Sequence, residues 1–469
     1  MVGSLSLAKG WFLLSLMVLS FGYGFAAHAW DLFPKTYVVT AANQAGRQAA
    51  GVLWEPAAEE YTEPRVYDRA GARTADADAV QPGLTLVVSA WAWDGESMRP
   101  GARLLDRHGR TMHEWAPDRQ AIFGGTALKG GNPATAKFHG AHLQPNGDLL
   151  LALSYIGLVR LDACGAVEWT LEEGAHHSVT AGAGETVWVS GVSDERRSTT
   201  ERHPNGLPGL DRSVWMDRLL HVSADGDILN DINVLDVLYA NGLERYLRMA
   251  YARGAFTNDN GDPTHLNDVE PLSASMADEY PTFEAGDLVV SLKHPNLVLV
   301  LDPDTREVKW HADSGPDDRY HLLQQHDPDF MGDGWIGVFD NQEDFTDRGA
   351  MLGGSRLLAF QPHTDSVAVL FPPLQSDTVY TKNRGKWQPL DNGNYLLTES
   401  NAGRVLEVTP AGRTVWEWIH EPQSETQVPF ITSADRYDLT RAEVASWPCS
   451  SLDVASASAS PDRTSRAAD

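Results

Sequence analysis

Residues 390–418 read LDNGNYLLTESNAGRVLEVTPAGRTVWEW, and the punctuation of this stretch decides the fold. Asn392-Gly393 suits the positive φ angles of a tight hairpin, and Tyr395-Leu396-Leu397 follows it with strand composition. Val405-Leu406-Glu407 makes a second strand, Gly412 a second turn, and Trp416-Glu417-Trp418 a third strand. The later half of this pattern recurs up the chain as an apolar strand, a Gly turn and a strand often ending in Trp. Leu299-Val300-Leu301-Asp302 leads to Trp310, and Leu220-His221-Val222 leads through Asp225-Gly226 to Ile228-Leu229. Leu161-Asp162 passes Gly165 to Trp169, and Leu104-Leu105-Asp106 passes Gly109 to Trp115. A degenerate copy, Leu357-Leu358-Ala359-Phe360 with Val367-Ala368-Val369-Leu370, completes a set of six.

A further strand pair precedes most of these hairpins. Pro145-Asn146-Gly147-Asp148 introduces Leu149 to Leu153, and matching strands stand at Glu185 to Ser190, Asp287 to Leu292 and Gly334 to Phe339. The unit is therefore about four strands, repeated every roughly 50 to 80 residues. A sandwich needs about seven to nine strands, and a β-helix has shorter rungs than these. Six four-stranded sheets are satisfied by radial closure, which hides both faces of each sheet and leaves only short edges. The expected fold is all-β, a six-bladed β-propeller over residues 83–445.

The ends read differently. Trp11 to Ala27, preceded by Lys9, is almost uncharged and about 17 residues long, which suits the apolar core of a signal peptide or a short membrane anchor within residues 1–30. Either sends the rest of the chain out of the cytoplasm, to the periplasm or the outer face of the cytoplasmic membrane. Residues 31–82 have no strong period and read as a stalk or covering segment. Residues 446–469, rich in Ser, Ala and Asp, read as a disordered tail. Cys164 and Cys449 are the only cysteines; two cysteines can form one bridge, but far apart and in unlike contexts their default reading is a buried core thiol and an unrelated tail thiol. A formal charge of -27 repels a phosphate backbone, so nucleic acid is excluded as a partner.

Four histidine clusters stand just before strands expected to be innermost in their blades: His139-Gly140-Ala141-His142, His176-His177, His265-Leu266-Asn267-Asp268 and Gln325-His326-Asp327. Innermost strands converge on one axis, so shared phase turns distance in sequence into proximity. Each histidine alone is readily explained as a turn cap or a hydrogen bond between blades. Several at one phase form a pocket that can bind metal, move protons or attack an electrophile. His177, His265 and His326 with a nearby Asp would make an N/O metal site, but none lies in a short ligand motif, and no metal or cofactor is expected.

These motifs resemble the bacterial arylsulfotransferase family, over about residues 84 to 420. Gly174-Ala175-His176-His177, His265-Leu266-Asn267-Asp268, Gln324-Gln325-His326-Asp327 with Phe339-Asp340-Asn341, and the blade Asp391 to Trp418 carry the resemblance. It implies an extracytoplasmic six-bladed propeller that moves a sulfuryl group from a phenolic sulfate to a phenol through a sulfated histidine, with neither metal nor nucleotide donor. By the same resemblance His326 is the nucleophile, His265 and Asn267 contact the sulfuryl oxygens, and His177 is an additional histidine for which His142 competes. Where the family has Ser-Arg-His, this chain has Ser291-Leu292-Lys293-His294, so Lys293 supplies the cation without the planar guanidinium fork, unless Arg384 reaches the centre instead. The rival readings are a noncatalytic envelope propeller that binds a protein or glycan through Trp91, Trp93, Trp115, Trp188 and Trp335, and a metal or quinone oxidoreductase.

Overall fold

A computed structural model describes residues 61–450, apart from 94–97, 125–132, 134, 211, 253–260, 313–320, 345 and 373–377, together with positions 11, 15, 17–20 and 23. The chain forms two compact units, Met1–Pro56 and Ala57–Asp469. In the first, the described positions are helical and exposed. Most of the expected signal or anchor lies outside the described residues, and no helix among the described residues is long and apolar enough to cross a membrane.

The second unit is a six-bladed β-propeller of antiparallel sheets. Blade two runs through Phe138–Leu143, Leu149–Leu153, Gly157–Leu161 and Val167–Leu171. Blade three is Val179–Ala181, Val187–Val192, Asp217–Val222 and Ile228–Asn233, and blade four is Leu266–Pro271, Leu288–Leu292, Leu297–Leu301 and Val308–Ala312. Blade five is His326–Gly332, Trp335–Asp340, Arg356–Gln361 and Ser366–Phe371, and blade six is Lys386–Pro389, Tyr395–Glu399, Arg404–Val408 and Thr414–Ile419. Blade one is built from both ends of the unit: Leu84–Ala92, Met98–Leu105 and Thr111–Trp115 receive Ile431–Tyr437 as their fourth, innermost strand. The first strands of blades two to six and this late strand touch one another in cyclic order, which places them around the axis.

The turns read from sequence set the blade spacing. Asp106 accepts from the backbone N–H of His108 and Arg110, at 2.9 and 3.0 Å, and Asp162 does the same for Cys164 and Ala166 at 2.8 Å each. Each is an Asx-type turn that leaves a glycine at positive φ, Gly109 at 75° and Gly165 at 79°. Tryptophans at the outer strands then lie over glycine turns of the next blade. A Cβ on Gly226 would stand 2.9 Å from the Trp169 ring, and one on Gly109 would stand 3.1 Å from Trp418. Trp169 Nε1 donates to Ala224 O and Trp416 Nε1 to Arg107 O, both at 2.8 Å, so the half-buried Trp169 and the buried Trp416 each have their polar atom satisfied. Leu149–Leu153, Leu288–Leu292 and Leu297–Leu301 are buried throughout, as strands covered on both faces must be.

Three further devices close the ring. Gly71–Thr74 adds a fifth strand to the outside of blade six, and Thr62–Pro64 pairs with Gln427–Pro429. Cys164 and Cys449 form a disulfide across 285 residues, in place of the two unrelated thiols expected from sequence. The bond is reached because Trp447, 7% exposed, packs against Trp115 and His113 and donates from Nε1 to Pro145 O at 3.0 Å, carrying the chain end onto blade two. Ordered chain thus extends past residue 446 to 450. Positions 451–469, where the rest of the tail was expected, lie outside the described residues.

Candidate functional site

Irregularities in the innermost strands build the site. The ladder register shifts between Phe138 and Ala141 in blade two, between Leu266 and Asp268 in blade four, between His326 and Pro328 in blade five, and between Ile431 and Ser433 in blade one. A bulge leaves a residue unpaired and re-aims its side chain. The residues released here include His139, Asn267, Asp327 and Thr432. All four line one axial cavity with His177, His326, Arg384, Gly385 and Lys386. Positive φ angles occur at His265 (46°), Gln324 (61°), Asp327 (52°) and Arg384 (60°), a conformation costing about 1 kcal/mol or more for a non-glycine residue. Gly140 lets blades two and three approach, since a Cβ there would stand 2.2 Å from His177 O.

His326 is held in one tautomer. Its Nδ1 lies 2.7 Å from Asn341 Oδ1 and 3.0 Å from Gln324 O. Asn341 spends its amide N–H groups on Thr381 O and Arg384 O, at 2.9 and 2.6 Å, so its oxygen must face His326. Both partners of Nδ1 are acceptors, Nδ1 therefore carries the proton, and Nε2 keeps its lone pair. Burial, followed by the Lys293 charge, holds the ring well below the ordinary imidazole range against the opposing hydrogen bond to Asn341. His326 is a neutral imidazole with a bare nitrogen.

A second chain of hydrogen bonds fixes His177. His176 Nε2 faces Gly191 O at 3.1 Å, and the two Nδ1 atoms of His176 and His177 are 2.6 Å apart. With His176 giving its proton to the carbonyl, its Nδ1 accepts from His177 Nδ1–H, which leaves His177 Nε2 bare as well. Burial and then the neighbouring His139 keep His177 well below the usual range. His139 packs edge-on against His177 with ring centroids 4.5 Å apart, and His265 does so from the other side at 5.0 Å.

His265 has a different partner. Asp262 accepts from its backbone N–H at 2.9 Å and from Nδ1 at 2.6 Å. Although burial pushes the Asp262 carboxyl up, the charge and hydrogen bond of His265 hold it well below the usual carboxylate range. His294 stands against the same pair, its ring 4.6 Å from that of His265, with Nδ1 donating to Asp262 O at 2.7 Å. Asn267 donates to Gln325 O at 2.7 Å, while its own Oδ1 is buried without a partner. Cations close the cavity from blade six. Arg384 lies over Phe430 at 4.0 Å and 3.5 Å from Glu63, and Lys386 pairs with Asp327. Burial opposes the Lys386 charge, but Asp327, Asp268 and Asp435 outweigh it and hold Nζ well above its ordinary range.

The structure thus gathers His177, Asn267 and His326 around the cavity and sets His265 against His177. Lys293 acts on His326 through its charge and is not among the cavity's lining residues, which include Arg384. Of the two blade-two histidines, His139 enters the cavity, and His142 lies where it meets Asp435. Three residues apart, the two would point to opposite faces of a regular strand; the bulge between Phe138 and Ala141 breaks that alternation, and His139 is the one at the cavity. Asp262, Asn341, His139 and His294 were not assigned from sequence; Asn341 was visible in Phe339-Asp340-Asn341, whereas Asp262 gave no signal. Among the described residues, the donor atoms brought together as a potential metal group are those of Asp262, His265 and His294, not of His177, His265 and His326.

The histidine cavity is small, about 20 Å³, enough for one water. A larger one, about 720 Å³, lies between blades six and one against Trp91, Trp418, His420 and Arg103. There Arg103 is already paired with Glu114 at 3.1 Å, Trp91 donates to Gly101 O, and His420 Nδ1 faces Glu421 O. Convergent imidazoles with bare nitrogens favour the smaller cavity as the site of chemistry, whatever the difference in size.

A propeller presenting a neutral imidazole beside cations at its axis is suited to taking up an anionic group. A family profile described as arylsulfotransferase (ASST) matches residues 137–421, more than half of the chain, and the chain belongs to that family. Its function is in that sense arylsulfotransferase-like, the family's general substrates being an aryl sulfate donor and a phenol acceptor. No curated protein matches the chain. Among solved structures, a protein of unknown function from Bacteroides caccae is 11% identical with a TM-score of 0.45, over 75% of this chain and 98% of its own. A virginiamycin B lyase from Staphylococcus aureus is 10% identical with a TM-score of 0.34, over 61% and 71%. Likenesses this distant carry no argument here.

Proposed function

We propose that the protein transfers a sulfuryl group from a phenolic sulfate ester to a phenol through a sulfated His326. The observation that carries this reading is the bare Nε2 of His326 in the axial cavity, fixed by two acceptors on Nδ1. Nε2 attacks sulfur, an N–S bond forms, and the S–O bond to the donor phenol breaks. The acceptor oxygen then attacks sulfur, the N–S bond breaks, and the acceptor's proton passes to an imidazole. His177 takes that proton through its bare Nε2. His265 and, through the second N–H of Nδ2, Asn267 hold the sulfuryl oxygens, and when His265 Nε2 carries a proton the Asp262 carboxylate balances the charge. Arg384, Lys293 and Lys386 meet the negative charge of the transferring group. The chain is placed outside the cytoplasm on the same reading, in keeping with a disulfide between its only cysteines.

The test is transfer itself: purified protein is given an aryl sulfate and a second phenol, and the new sulfate ester is measured. His326→Ala should lower turnover by about 10³-fold or more, as loss of a covalent nucleophile does. No transfer across a broad donor panel, or an unaffected His326→Ala enzyme, defeats the proposal. One observation favours a noncatalytic binding propeller instead, namely that about 20 Å³ does not admit an aryl ring between the histidines. On the catalytic reading the ring remains at the mouth, and the side chains lining the cavity move apart to admit the sulfuryl group. The stacking surface offered for the rival is reduced, since Trp91, Trp93, Trp115 and Trp188 are at most 6% exposed.

A further inference from the structure

We infer that Asp262, His265 and His294 form a binding site for a divalent transition-metal ion of the zinc class, and that the ion restrains the site rather than serving it. The regulatory half rests on the role given to His265 above; the binding half does not. One ligand atom from each of the three residues lies within 4.8 Å of the others. In a tetrahedral zinc shell with bonds near 2.1 Å the ligands stand about 3.4 Å apart, so ring rotations of about 1 Å complete the set. The Asp262 Oδ2 to His265 Nδ1 edge, at 2.6 Å, is already shorter than that.

Each donor has the chemistry the ion requires. His294 Nδ1 donates to Asp262 O at 2.7 Å, which leaves Nε2 as the nitrogen with a lone pair for the ion. This is the usual posture of a metal-bound histidine, one nitrogen on the metal and the other N–H on a carbonyl. The Asp262 carboxylate supplies the oxygen ligand. The three side chains are neither sealed in the core nor fully exposed, which leaves a route for the ion and a fourth position for water.

Two imidazoles and one carboxylate suit Zn²⁺ and its neighbours Co²⁺ and Ni²⁺, and do not suit Mg²⁺ or Ca²⁺, which seek oxygen. At this site the ion takes the place of the proton between His265 Nδ1 and Asp262. Neutral His265 then carries its proton on Nε2, its ring is tied to His294, and Asp262 no longer balances charge on it. An enzyme that uses His265 against the sulfuryl group is slowed by that exchange.

The full chain, stripped with chelator, is titrated with Zn²⁺ in a calorimeter and with Co²⁺ followed by visible absorption. One ion per chain is expected in wild type and in His326→Ala. Asp262→Asn and His294→Gln should each weaken binding by at least about tenfold. No stoichiometric binding to wild type, or binding that survives both substitutions, overturns the site. An anomalous map at the zinc edge from wild-type crystals decides the matter even if a variant fails to fold: a peak among the three side chains supports the site, and its absence refutes it. Zn²⁺ should also suppress transfer in wild type more than in His294→Gln. Equal transfer with and without bound ion overturns the restraint while leaving the site. A protein that binds zinc but transfers nothing fails the sulfotransferase reading alone.

Discussion

His326 opens the innermost strand of blade five and His265 stands just before that of blade four, yet the two are backed by different chemistry. Each presents Nδ1 to an acceptor within 2.7 Å, but for His326 that acceptor is the neutral amide oxygen of Asn341, and for His265 it is the carboxylate of Asp262. An amide oxygen orients an imidazole and fixes its tautomer while favouring positive charge much less than a carboxylate does. A carboxylate orients it and balances charge it acquires. A nucleophile must stay unprotonated, whereas a group that meets a sulfuryl anion gains from a counterion behind it. The partner of Nδ1 thus assigns different tasks to two identical side chains.

The comparison can be broken at several points. The largest effect, about 10³-fold or more on turnover, belongs to His326→Ala. Asp262→Asn should come next, lowering transfer about 10²-fold by removing the counterion while keeping a hydrogen-bond partner, and kcat should fall more than KM rises. Loss of KM alone would show that Asp262 merely shapes the pocket.

Asn341→Asp makes His326 resemble His265, and the expected sign follows from the wild-type ring. His326 reacts when neutral and its pKa is depressed by burial and Lys293. Wild-type kcat/KM should therefore stay level as pH falls through about 6.5, the unperturbed imidazole value, and decline only at more acid pH. A carboxylate at position 341 favours the imidazolium, so the acid limb should move upward by about one to three pH units and the rate at a pH within that interval should drop relative to wild type. An acid limb that does not move would separate the tautomer argument from the rate.

The smallest effect on chemistry is expected at the far side of the ring. Cys449→Ser should cost stability of about 2–4 kcal/mol, read from denaturant midpoints, and leave the rate per folded molecule unchanged. A changed rate would show that closure of blades one and two reaches the axial cavity.

Much of this was legible in the sequence, for identifiable reasons. The Asp-x-x-Gly turns and the Asn392-Gly393 hairpin are local, so the six blades could be read one at a time. The phase of His177, His265 and His326 follows from the repeat itself. What escaped was set by irregularity or by long-range closure. The bulge at His139 exchanges the side chain that faces the axis, and only a misfit between Phe138–Leu143 and Leu149–Leu153 reveals it. Asp262 lies three residues before His265 and becomes its partner because the backbone turns to a φ of 46° at His265. The Cys164–Cys449 pair depends on the last strand returning to blade one and Trp447 docking beyond it, contacts no local pattern encodes.

The most direct measurement is the intact mass of the protein after mixing with an aryl sulfate in the absence of a phenol acceptor. The account predicts a gain of one sulfuryl group, mapped by fragmentation to His326, that disappears when a phenol is added and does not form in His326→Ala. A sulfuryl group on any other residue, or released phenol with no transient adduct, would contradict it.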